Sequence, residues 1–412
     1  MSQPPAPRDV RMRGFRERAT VEQAWAWIDA VAGILPTEVV QLEEATGRVL
    51  ARDIVAPLDV PAFDRSAMDG FAIRAGETVG ASDYQPLPFR VLGDARPGAA
   101  YVGTLGQGDA VRIMTGAPIP DGADAVVPAE HAHDRGSHVE LTQAVPARKH
   151  IGSRGEDVRV GQVVVPAGRR LRPQDLGVIA AIGFAEVQTV RQPRVRLLVT
   201  GNELVLPGEA RGEHQIYDAN SFLLRGLITR DLGMLVEVVR LHDDSAAIRA
   251  ALTAPGADVL LLSGGSSVGA EDHAPGLVAE LGTLAIHGIA MRPSSPAGMG
   301  QIGEALVFLL PGNPVSCLCA YDFFAGRALR MLAGLSPEWP HRRLQAPLLR
   351  KIASAIGRVD YCRVRLTPDG VEPLALSGAS ILSSAVRADG FLIIPAESEG
   401  AGSGTEVDVH LY

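Results

Sequence analysis

The segment DVLLLSGGSSVGAEDH, which runs from Asp258 to His273, joins an apolar run directly to a loop rich in Ser and Gly. A short continuous apolar run is typical of a strand that is buried on both faces of a parallel sheet. The stretch APGLVAELG follows immediately and has the apolar spacing of a helix. This order of strand, loop and helix predicts an α/β fold, with the loop at the carboxyl end of a parallel strand.

The same alternation of strand-like and helix-like segments extends over residues 194–335. In chain order the segments are RVRLLVTG, ANSFLLRGLITRDLG, LVEVVRL, SAAIRAALTA, DVLLLSGG, APGLVAELG, ALVFLLPG and the long helical run NPVSCLCAYDFFAGRALRMLAG. Apolar strands that alternate with amphipathic helices predict a doubly wound, mostly parallel sheet with right-handed crossovers. We therefore predict an α/β multidomain protein.

The remainder of the chain predicts smaller elements around this sheet. Helical spacing covers Val21–Leu35, a second helix is predicted around Glu43–Leu50, VGQVVVPAGRRL predicts a hairpin, and PQDLGVIAAIG predicts a helix that ends at Gly183. Short apolar runs between Gly, Pro and Asp predict β domains on both sides of the α/β segment. The predicted domains are an elongated N-terminal helical and β region with its linker (1–60 and 148–190), a small β domain (61–147), the α/β domain (191–340) and a C-terminal β-barrel-like domain (341–412).

Composition and charge exclude several classes of partner. The 412 residues carry a net charge of −8 and no basic block, which argues against nucleic acid as a partner. No apolar stretch reaches the roughly 20 residues of a membrane span, and the polar N-terminus lacks the apolar core of a signal peptide. Cys317, Cys319 and Cys362 show neither zinc-site nor disulfide spacing, so we expect buried thiols in a reducing compartment. The sequence thus predicts a cytoplasmic protein that does not enter a membrane.

Polar residues and glycines follow the predicted parallel strands at the points where these strands end. The four segments are Thr200–Glu203, His242–Asp244, Ser263–Gly269 and Pro311–Pro314. Any one of them has a structural explanation, because Gly ends strands and Asp or Asn caps helices in many proteins. The carboxyl ends of parallel strands share one edge of a sheet, and four such segments there favour a ligand site.

The Ser- and Gly-rich loop has the composition of an anion site. Gly264 and Gly265 let the backbone approach a ligand, while hydroxyls and free amides donate hydrogen bonds to an anion. The hydroxyls would come from Ser263, Ser266 and Ser267. The loop matches neither the Walker A pattern nor the dinucleotide fingerprint, so we predict a phosphate site of another kind.

Acidic residues next to this loop predict a metal ion. Glu203, Asp243 and Asp272 follow neighbouring strands, and Glu271 and Asp244 lie beside two of them. Carboxylate oxygens are the ligands that Mg²⁺ prefers, and the ion could bridge them to a phosphate. Acids that merely cap helices are the alternative.

Seven motifs in the chain resemble those of the molybdopterin molybdenumtransferase family, the bacterial MoeA and gephyrin E-domain proteins. In family order they are DRSAMDGFAIR, IMTGAPIPDGADAVV, GSRGEDVRVGQVV, TGNELV, QIYDANS, SGGSSVGAEDH and LPGNPVSC. The resemblance implies an elongated homodimer of four-domain subunits, in which an α/β domain of molybdopterin-binding type faces the partner's small β domain. It also implies the reaction: insertion of molybdate into the dithiolene of adenylylated molybdopterin with Mg²⁺, which gives molybdenum cofactor and AMP.

The resemblance also assigns roles to residues at matching motif positions. The residues that it places at or near the catalytic centre are Asp69, Thr115, Glu203, Asp243 and Asp272, with Asp157 in the same region, and the metal ligands would be Glu203, Asp243 and Asp272. The residues that it places around the pterin and its phosphate are Ser263, Gly264, Gly265, Ser266, Ser267, Asp218, Asn220, Pro311, Gly312, Asn313 and Pro314. The dithiolene would supply the soft sulfur ligands that molybdenum prefers, so no protein cysteine is required.

The chain departs from the family in the part that would bind molybdate. The family commonly reads K-P-G-K-P where this chain has Arg292-Pro293-Ser294-Ser295-Pro296, and a further family lysine aligns with Gly288. Ala379 stands at a family serine position and Asn202 at a usual aspartate. We expect a molybdate pocket rebuilt around Arg292, Ser295 and Arg363, because a guanidinium still binds an oxyanion.

Two other functions stay open on the sequence. A non-catalytic protein of this family could carry the cofactor or its precursor to a client enzyme that uses molybdenum. An adenylyltransferase that makes the adenylylated pterin would need the same α/β core, but the flanking domains argue against it.

Overall fold

The structure, a computed structural model, describes residues 18–265, 272–375 and 378–412. The chain divides into two compact units. The first comprises the described residues up to Glu38, Gly47–Val49 and Thr189–Tyr412, and the second comprises Val39–Thr46 and Leu50–Gln188. The chain passes from one unit to the other at four points, and the strands Thr37–Gln41 and Glu186–Val190 contain the first and the last of them. No helix in the described ranges is long and apolar enough to cross a membrane.

The first unit is built on a six-stranded sheet. Its strands lie in the order Met234–Leu241, Arg194–Thr200, Val259–Ser263, Ala305–Leu310, Gly298–Ile302 and Thr283–His287. The first four strands are parallel, and the last two are antiparallel to their neighbours. The predicted mostly parallel sheet is confirmed, while the antiparallel pair at its edge was not predicted.

Both faces of this sheet are covered by helices, which explains why the central strand Val259–Ser263 is apolar up to its last residue. Val195, Leu197 and Val199 pack into one buried cluster, whereas Leu198 packs into another on the opposite face. The helices Asn220–Arg230, Pro314–Ala320 and Gly326–Leu332 contribute to the first cluster, and Ser245–Thr253 and Ala274–Leu281 contribute to the second. The helix Val21–Val31, which was predicted from its spacing, also packs into the first cluster.

The long helical run after Asn313 contains a wider turn. Tyr321–Ala325 form a π-helical turn between the two helices that end at Ala320 and begin at Gly326. All five residues of this turn are buried, including Asp322. The helical run was predicted, but the π turn was not.

The C-terminal part of the first unit forms a second sheet. Its strands lie in the order Met291–Arg292, Val359–Thr367, Gly390–Ile394, Glu406–Leu411 and Arg342–Pro347, with Gly370–Ala375 paired to Val359–Thr367. The same part of the chain also contains a separate antiparallel pair, Ile352–Ala353 with Gly400–Ala401, and the helix Leu382–Val386. The parallel pairing of Met291 and Arg292 with Val359 and Asp360 joins the α/β segment to this sheet.

The second unit contains another six-stranded sheet, where the small β domain was predicted. Its strands lie in the order Ala125–Pro128, Gly70–Ile73, Asp109–Ile113, Leu87–Ala95, His138–Leu141 and Ala132–Asp134. The other elements are the helix Pro173–Ala181, the one-turn helices Leu42–Glu44, Ala75–Thr78 and Ala129–His131, and the short strand pairs Ile54–Val55 with Val163–Val165 and Arg65–Ser66 with Ile151–Gly152.

Two predictions for the second unit are wrong. The segment predicted as a helix over Glu43–Leu50 has a single turn that ends at Glu44 and continues into Gly47, whose φ of 77° is outside the helical region. The predicted hairpin in VGQVVVPAGRRL is also absent, because Val163–Val165 pairs with Ile54–Val55 instead. Strand pairing with a distant segment leaves no trace in local sequence periodicity. The four domain boundaries stay a prediction.

Candidate active site

A cavity of about 670 Å³ lies at the carboxyl ends of the parallel strands in the first unit. The strand Arg194–Thr200 has the second strand in sequence on one side and the third on the other. The chain therefore reverses direction across the sheet between Thr200 and Ser263, which is where open α/β sheets bind ligands. The described lining residues are Val199, Thr200, Gly201, Glu203, Leu204, Ile216, Tyr217, Asp218, Ala219, Asn220, Asp243, Ser263, Gly264, Gly265, Asp272, Pro296, Pro311, Gly312, Asn313, Pro314 and Ser380.

The three acids predicted at neighbouring strand ends all line this cavity. Glu203 follows the first strand, Asp243 the second and Asp272 the loop after the third. Asp243 is oriented by Asn202, whose backbone N–H donates to Oδ2 of Asp243 at 3.2 Å while its side-chain Oδ1 accepts from the Asp243 N–H at 3.2 Å. Asn202, which stands where the family usually has an aspartate, thus positions the carboxylate of Asp243.

The described wall of the cavity is strongly acidic. Four of its residues are carboxylates, and none of its described residues is Arg, Lys or His. Asp218 is the exception in role, because its buried carboxylate accepts from the hydroxyl and backbone N–H of Ser221 and from Nε of Arg240 at 3.3 Å. Asp218 thus holds the start of the helix Asn220–Arg230.

Asn220 ties the two sides of the cavity together. Its Nδ2 donates to Oγ of Ser263 at 2.8 Å and to the carbonyl oxygen of Gly312 at 2.8 Å. Since a carbonyl can only accept, the amide orientation is fixed, and Oδ1 of Asn220 is buried with no hydrogen-bond partner among the described residues. Oγ1 of Thr200, another lining residue, is likewise buried with no partner in the described part of the chain.

Part of the Ser- and Gly-rich loop that was predicted to bind phosphate instead makes hydrogen bonds within the cavity wall. The Ser263 hydroxyl accepts from Asn220, and the Gly264 N–H donates to the carbonyl oxygen of Leu310 at 3.2 Å. Gly264 has a φ of 98°, and a Cβ there would lie 2.3 Å from the carbonyl oxygen of Thr200. The glycine is therefore required by close backbone packing. Ser266, Ser267 and Glu271 lie outside the described residues.

The helix N-terminus at Pro314 is also engaged by protein. The backbone N–H groups of Val315 and Ser316 donate to the carbonyl oxygen of Ala379 at 2.9 Å and 3.4 Å. The hydroxyl of Ser380 donates to Oδ1 of Asn313 at 2.8 Å. The C-terminal part of the first unit thus closes this side of the cavity, and these two amides are not available to an anion.

Comparison with known proteins places the whole chain in one family. Family models match residues 19–183 as "MoeA N-terminal region (domain I and II)", 196–331 as "Probable molybdopterin binding domain" and 345–412 as "MoeA C-terminal region (domain IV)". A molybdopterin molybdenumtransferase 2 of Mycobacterium tuberculosis is 38% identical over 384 residues, which cover 90% of this chain and 94% of that protein. The chain belongs to the molybdopterin molybdenumtransferase family. The predicted family and fold class are confirmed.

Two further relatives extend this similarity within the family. The molybdopterin molybdenumtransferase of Haemophilus influenzae is 32% identical over 387 residues, which cover 91% of this chain and 94% of that protein. A crystal structure of the molybdopterin biosynthesis MoeA protein of Pyrococcus horikoshii has a TM-score of 0.81 and 32% identity, and covers 96% of this chain and 99% of that one.

The residues predicted for molybdate do not line the cavity. Nη2 of Arg292 donates to Oδ2 of Asp360 at 2.5 Å, and Asp360 also accepts from Ser354 and Arg358. Arg363 is fully buried in the strand Val359–Thr367. Oγ of Ser295 is buried and has no hydrogen-bond partner within the described ranges, while the next residue, Pro296, does line the cavity. A role of Arg292, Ser295 and Arg363 in binding molybdate stays a prediction.

Asp69 and Thr115 lie together in the second unit. Oδ1 of Asp69 accepts from the Thr115 N–H at 2.7 Å and from its hydroxyl at 3.0 Å, and the hydrogen bond from the Thr115 backbone lowers the pKa of this carboxyl. The Asp69 carboxylate is therefore charged at neutral pH. Asp157 lies in the same unit, where its N–H donates to the carbonyl oxygen of Val60.

Nine of the described lining residues were not among the predicted site residues. They are Val199, Thr200, Gly201, Leu204, Ile216, Tyr217, Ala219, Pro296 and Ser380. Tyr217 directly precedes the predicted Asp218, and Thr200 begins the strand-end segment that contains Glu203, so assigning site roles to neighbouring positions would have included both. Ser380 comes from a segment distant in sequence, and no local pattern connects it with the sheet.

Proposed function

We propose that this protein inserts molybdenum from molybdate into the dithiolene of adenylylated molybdopterin, giving molybdenum cofactor and AMP. The observation that carries the proposal is a cavity of about 670 Å³ at the switch point of the sheet, lined by carboxylates and, among its described residues, by no cation. A polyphosphate ligand would be repelled there unless a cation came with it. Adenylylated molybdopterin carries such a phosphate group.

The acids of the cavity fit a magnesium ion shared with a substrate. Within the described part of the chain, no three His, Cys, Asp or Glu side chains form a metal-binding group of their own. Mg²⁺ is usually held by one or two carboxylates together with substrate phosphates and water, so this pattern supports Glu203, Asp243 and Asp272 as its source of ligands. When bound, the ion would neutralise charge on the phosphate oxygens of the departing AMP.

The residues of the chain would bind and orient the substrate around these acids. Asn220 fixes the wall through Ser263 and Gly312, and Asn202 fixes Asp243. The thiols are buried, and burial raises the pKa of Cys317 and of Cys362 to about 12, so neither offers a thiolate to molybdenum. The dithiolene sulfurs of the substrate would then be the soft ligands of the metal.

The test is AMP release from adenylylated molybdopterin by the full chain. We expect release to require both Mg²⁺ and molybdate, and omission of either should abolish it. Parallel reactions with tungstate show whether the oxyanion site distinguishes the two metals. Consumption of ATP on bare molybdopterin would instead indicate an adenylyltransferase.

A cofactor carrier is the second candidate, and one contact favours it. The cation at the family's lysine position, Arg292, is ion-paired with Asp360, and Arg292 does not line the cavity. With Arg292 engaged by Asp360, the protein could bind the pterin without completing the transfer. Tight Mg²⁺-dependent pterin binding with no molybdate-dependent AMP release would support the carrier and contradict the transferase.

The homodimer implied by the family is also part of the proposal. Asp69 and Thr115 belong to the second unit, whereas every described lining residue of the cavity belongs to the first. In a dimer of the family type, a complete site would combine Asp69 of one chain with Asp272 of its partner. Mixing the inactive variants Asp69→Ala and Asp272→Ala should then restore about a quarter of wild-type activity, because random exchange gives half mixed dimers with one intact site of two. Light scattering at a monomer mass would contradict this arrangement.

A further inference from the structure

One side of the cavity is formed by a short two-stranded ladder that the proposed chemistry does not use. Leu204–Val205 pairs in parallel with Ile216–Tyr217. Ile216 is 52% exposed and Tyr217 is 46% exposed, although both line the cavity. An apolar and aromatic strip thus lies next to the acids of the strand ends.

Tyr217 is held by hydrogen bonds at its hydroxyl group and along the backbone on either side of it. Its hydroxyl donates to the carbonyl oxygen of Glu209 at 3.1 Å. The backbone beside it is fixed by the Ile216 N–H, which donates to Glu203 O at 2.8 Å, and by the Asp218 N–H, which donates to Val205 O at 2.9 Å. The strand that carries Tyr217 is therefore hydrogen-bonded directly to Glu203, the residue that carries one of the cavity acids.

Tyr217 is distinguished from the other described lining residues by its aromatic ring. A half-exposed ring that is anchored through its hydroxyl has a face free to contact a ligand, and it loses little conformational entropy when it does. Stacking of a planar heteroaromatic ring on such a face requires no hydrogen-bond complementarity, since every base has a π face.

We propose that Tyr217 is the stacking platform for a planar heteroaromatic ring of the substrate. This inference rests on the proposed function, whose substrate contains two such rings, the pterin and the adenine. The shared chemistry is a flat nitrogen heterocycle that lies on the phenol face while the phosphate end reaches the acids at the strand ends. Tyr217 would then contribute to ring selectivity and not to the chemical step.

The experiment measures Mg²⁺-dependent binding of three probes to the full chain by ligand-observed NMR: AMP, neopterin and ribose 5-phosphate. The variants are Tyr217→Leu, which removes the ring, and Tyr217→Phe, which keeps it. We expect Tyr217→Leu to weaken AMP, neopterin or both by about tenfold, the range that base stacking supplies. Ribose 5-phosphate has no ring, and its affinity should stay within about twofold. Tyr217→Phe should bind all three probes nearly as wild type does.

Phe222→Leu is the matched control. Phe222 is an aromatic residue of the next helix that is 56% exposed and is not among the cavity-lining residues, so its removal should change no affinity. Loss confined to AMP identifies the adenine as the stacked ring, loss confined to neopterin identifies the pterin, and either supports the platform.

Two results would overturn the platform. One is equal loss for ribose 5-phosphate and the ring-bearing probes, which would indicate a structural role for Tyr217. The other is wild-type protein that prefers neither ring-bearing probe to ribose 5-phosphate, or Tyr217→Leu that binds them unchanged. Failure of the transferase proposal is separate, because it is measured as absent AMP release from wild-type protein whether or not the ring preference exists.

Discussion

Two groups of carboxylates in the first unit differ in what surrounds them. Asp231, Asp322 and Asp360 are fully buried, and each faces at least one guanidinium. Glu203 and Asp243 line a cavity whose described wall holds no Arg, Lys or His. The charges of the buried acids are thus compensated by arginines of the protein. Among the described lining residues of the cavity, no cation compensates the charges of Glu203 and Asp243, so we expect a bound cation to do so.

The contrast separates charges that stabilise the fold from charges that act on a ligand. Buried ion pairs repay their desolvation only through their partners, so removal of one partner is costly. Solvent-facing acids pay little desolvation, and their mutual repulsion is relieved when a cation binds. Substitutions in the first group should therefore change stability, and substitutions in the second should change activity.

The largest effect is expected for Asp231→Ala. Oδ1 of Asp231 accepts from Nη1 of Arg330 at 3.0 Å, and Oδ2 accepts from Nη2 of Arg230 at 2.7 Å. Arg330 is 2% exposed, so the variant leaves a buried cation without its carboxylate. We expect a loss of about 3–5 kcal/mol in the free energy of unfolding, measured by urea denaturation. A loss below about 1 kcal/mol would remove the distinction between the two groups, since surface pairs cost that much.

Glu203→Ala should have the opposite effect, with a large loss of activity and little change in stability. Because Glu203 is exposed at the cavity, its removal should leave the melting temperature close to that of the wild type. Molybdate-dependent AMP release should fall by about 100-fold, the usual cost of one group that stabilises developing charge. Asp272→Ala is expected to behave in the same way. A collapse of the melting temperature with either variant would assign these acids to the fold.

Gly264→Ala tests whether the cavity wall is as closely packed as the contacts indicate. The new Cβ would lie 2.3 Å from the Thr200 carbonyl oxygen at a φ of 98°, so we expect a loss of about 1–3 kcal/mol and weaker substrate binding. The control is Gly276→Ala in the helix Ala274–Leu281, where nothing lies within 4 Å of the new Cβ. That variant should gain about 0.5–1 kcal/mol. If the two variants changed the free energy of unfolding equally, the backbone of the cavity wall would have to move enough to accommodate the new Cβ at position 264.

The α/β core and the position of the site could be predicted because both depend on local patterns. Continuous apolar strands, helical spacing and acids at strand ends are visible in short windows, and the cavity lies where these ends meet. The pairing of Met291–Arg292 with Val359–Asp360, the closure of the helix at Pro314 by Ala379 and the ion network around Asp322 depend on contacts between distant segments. Local sequence patterns do not record such contacts. For the same reason, the composition of the Ser- and Gly-rich loop did not predict the hydrogen bond that Asn220 donates to Ser263.

The neighbouring residues Asp243 and Asp244 give the smallest and most local test of the comparison. Asp243 lines the cavity, whereas Oδ1 of Asp244 accepts from the Ala247 N–H at 2.7 Å and caps the helix Ser245–Thr253. Asp244→Ala should cost about 1 kcal/mol of stability, the usual value of an N-cap, and leave AMP release per folded molecule unchanged. Asp243→Ala should leave stability unchanged and slow AMP release. Because both variants remove one carboxylate from the same turn, long-range electrostatics affects them alike, and a difference between them reports the direction in which each side chain points. If Asp244→Ala slowed AMP release as much as Asp243→Ala, net charge near the cavity would explain the activity, and the assignment of a specific role to Asp243 would fail.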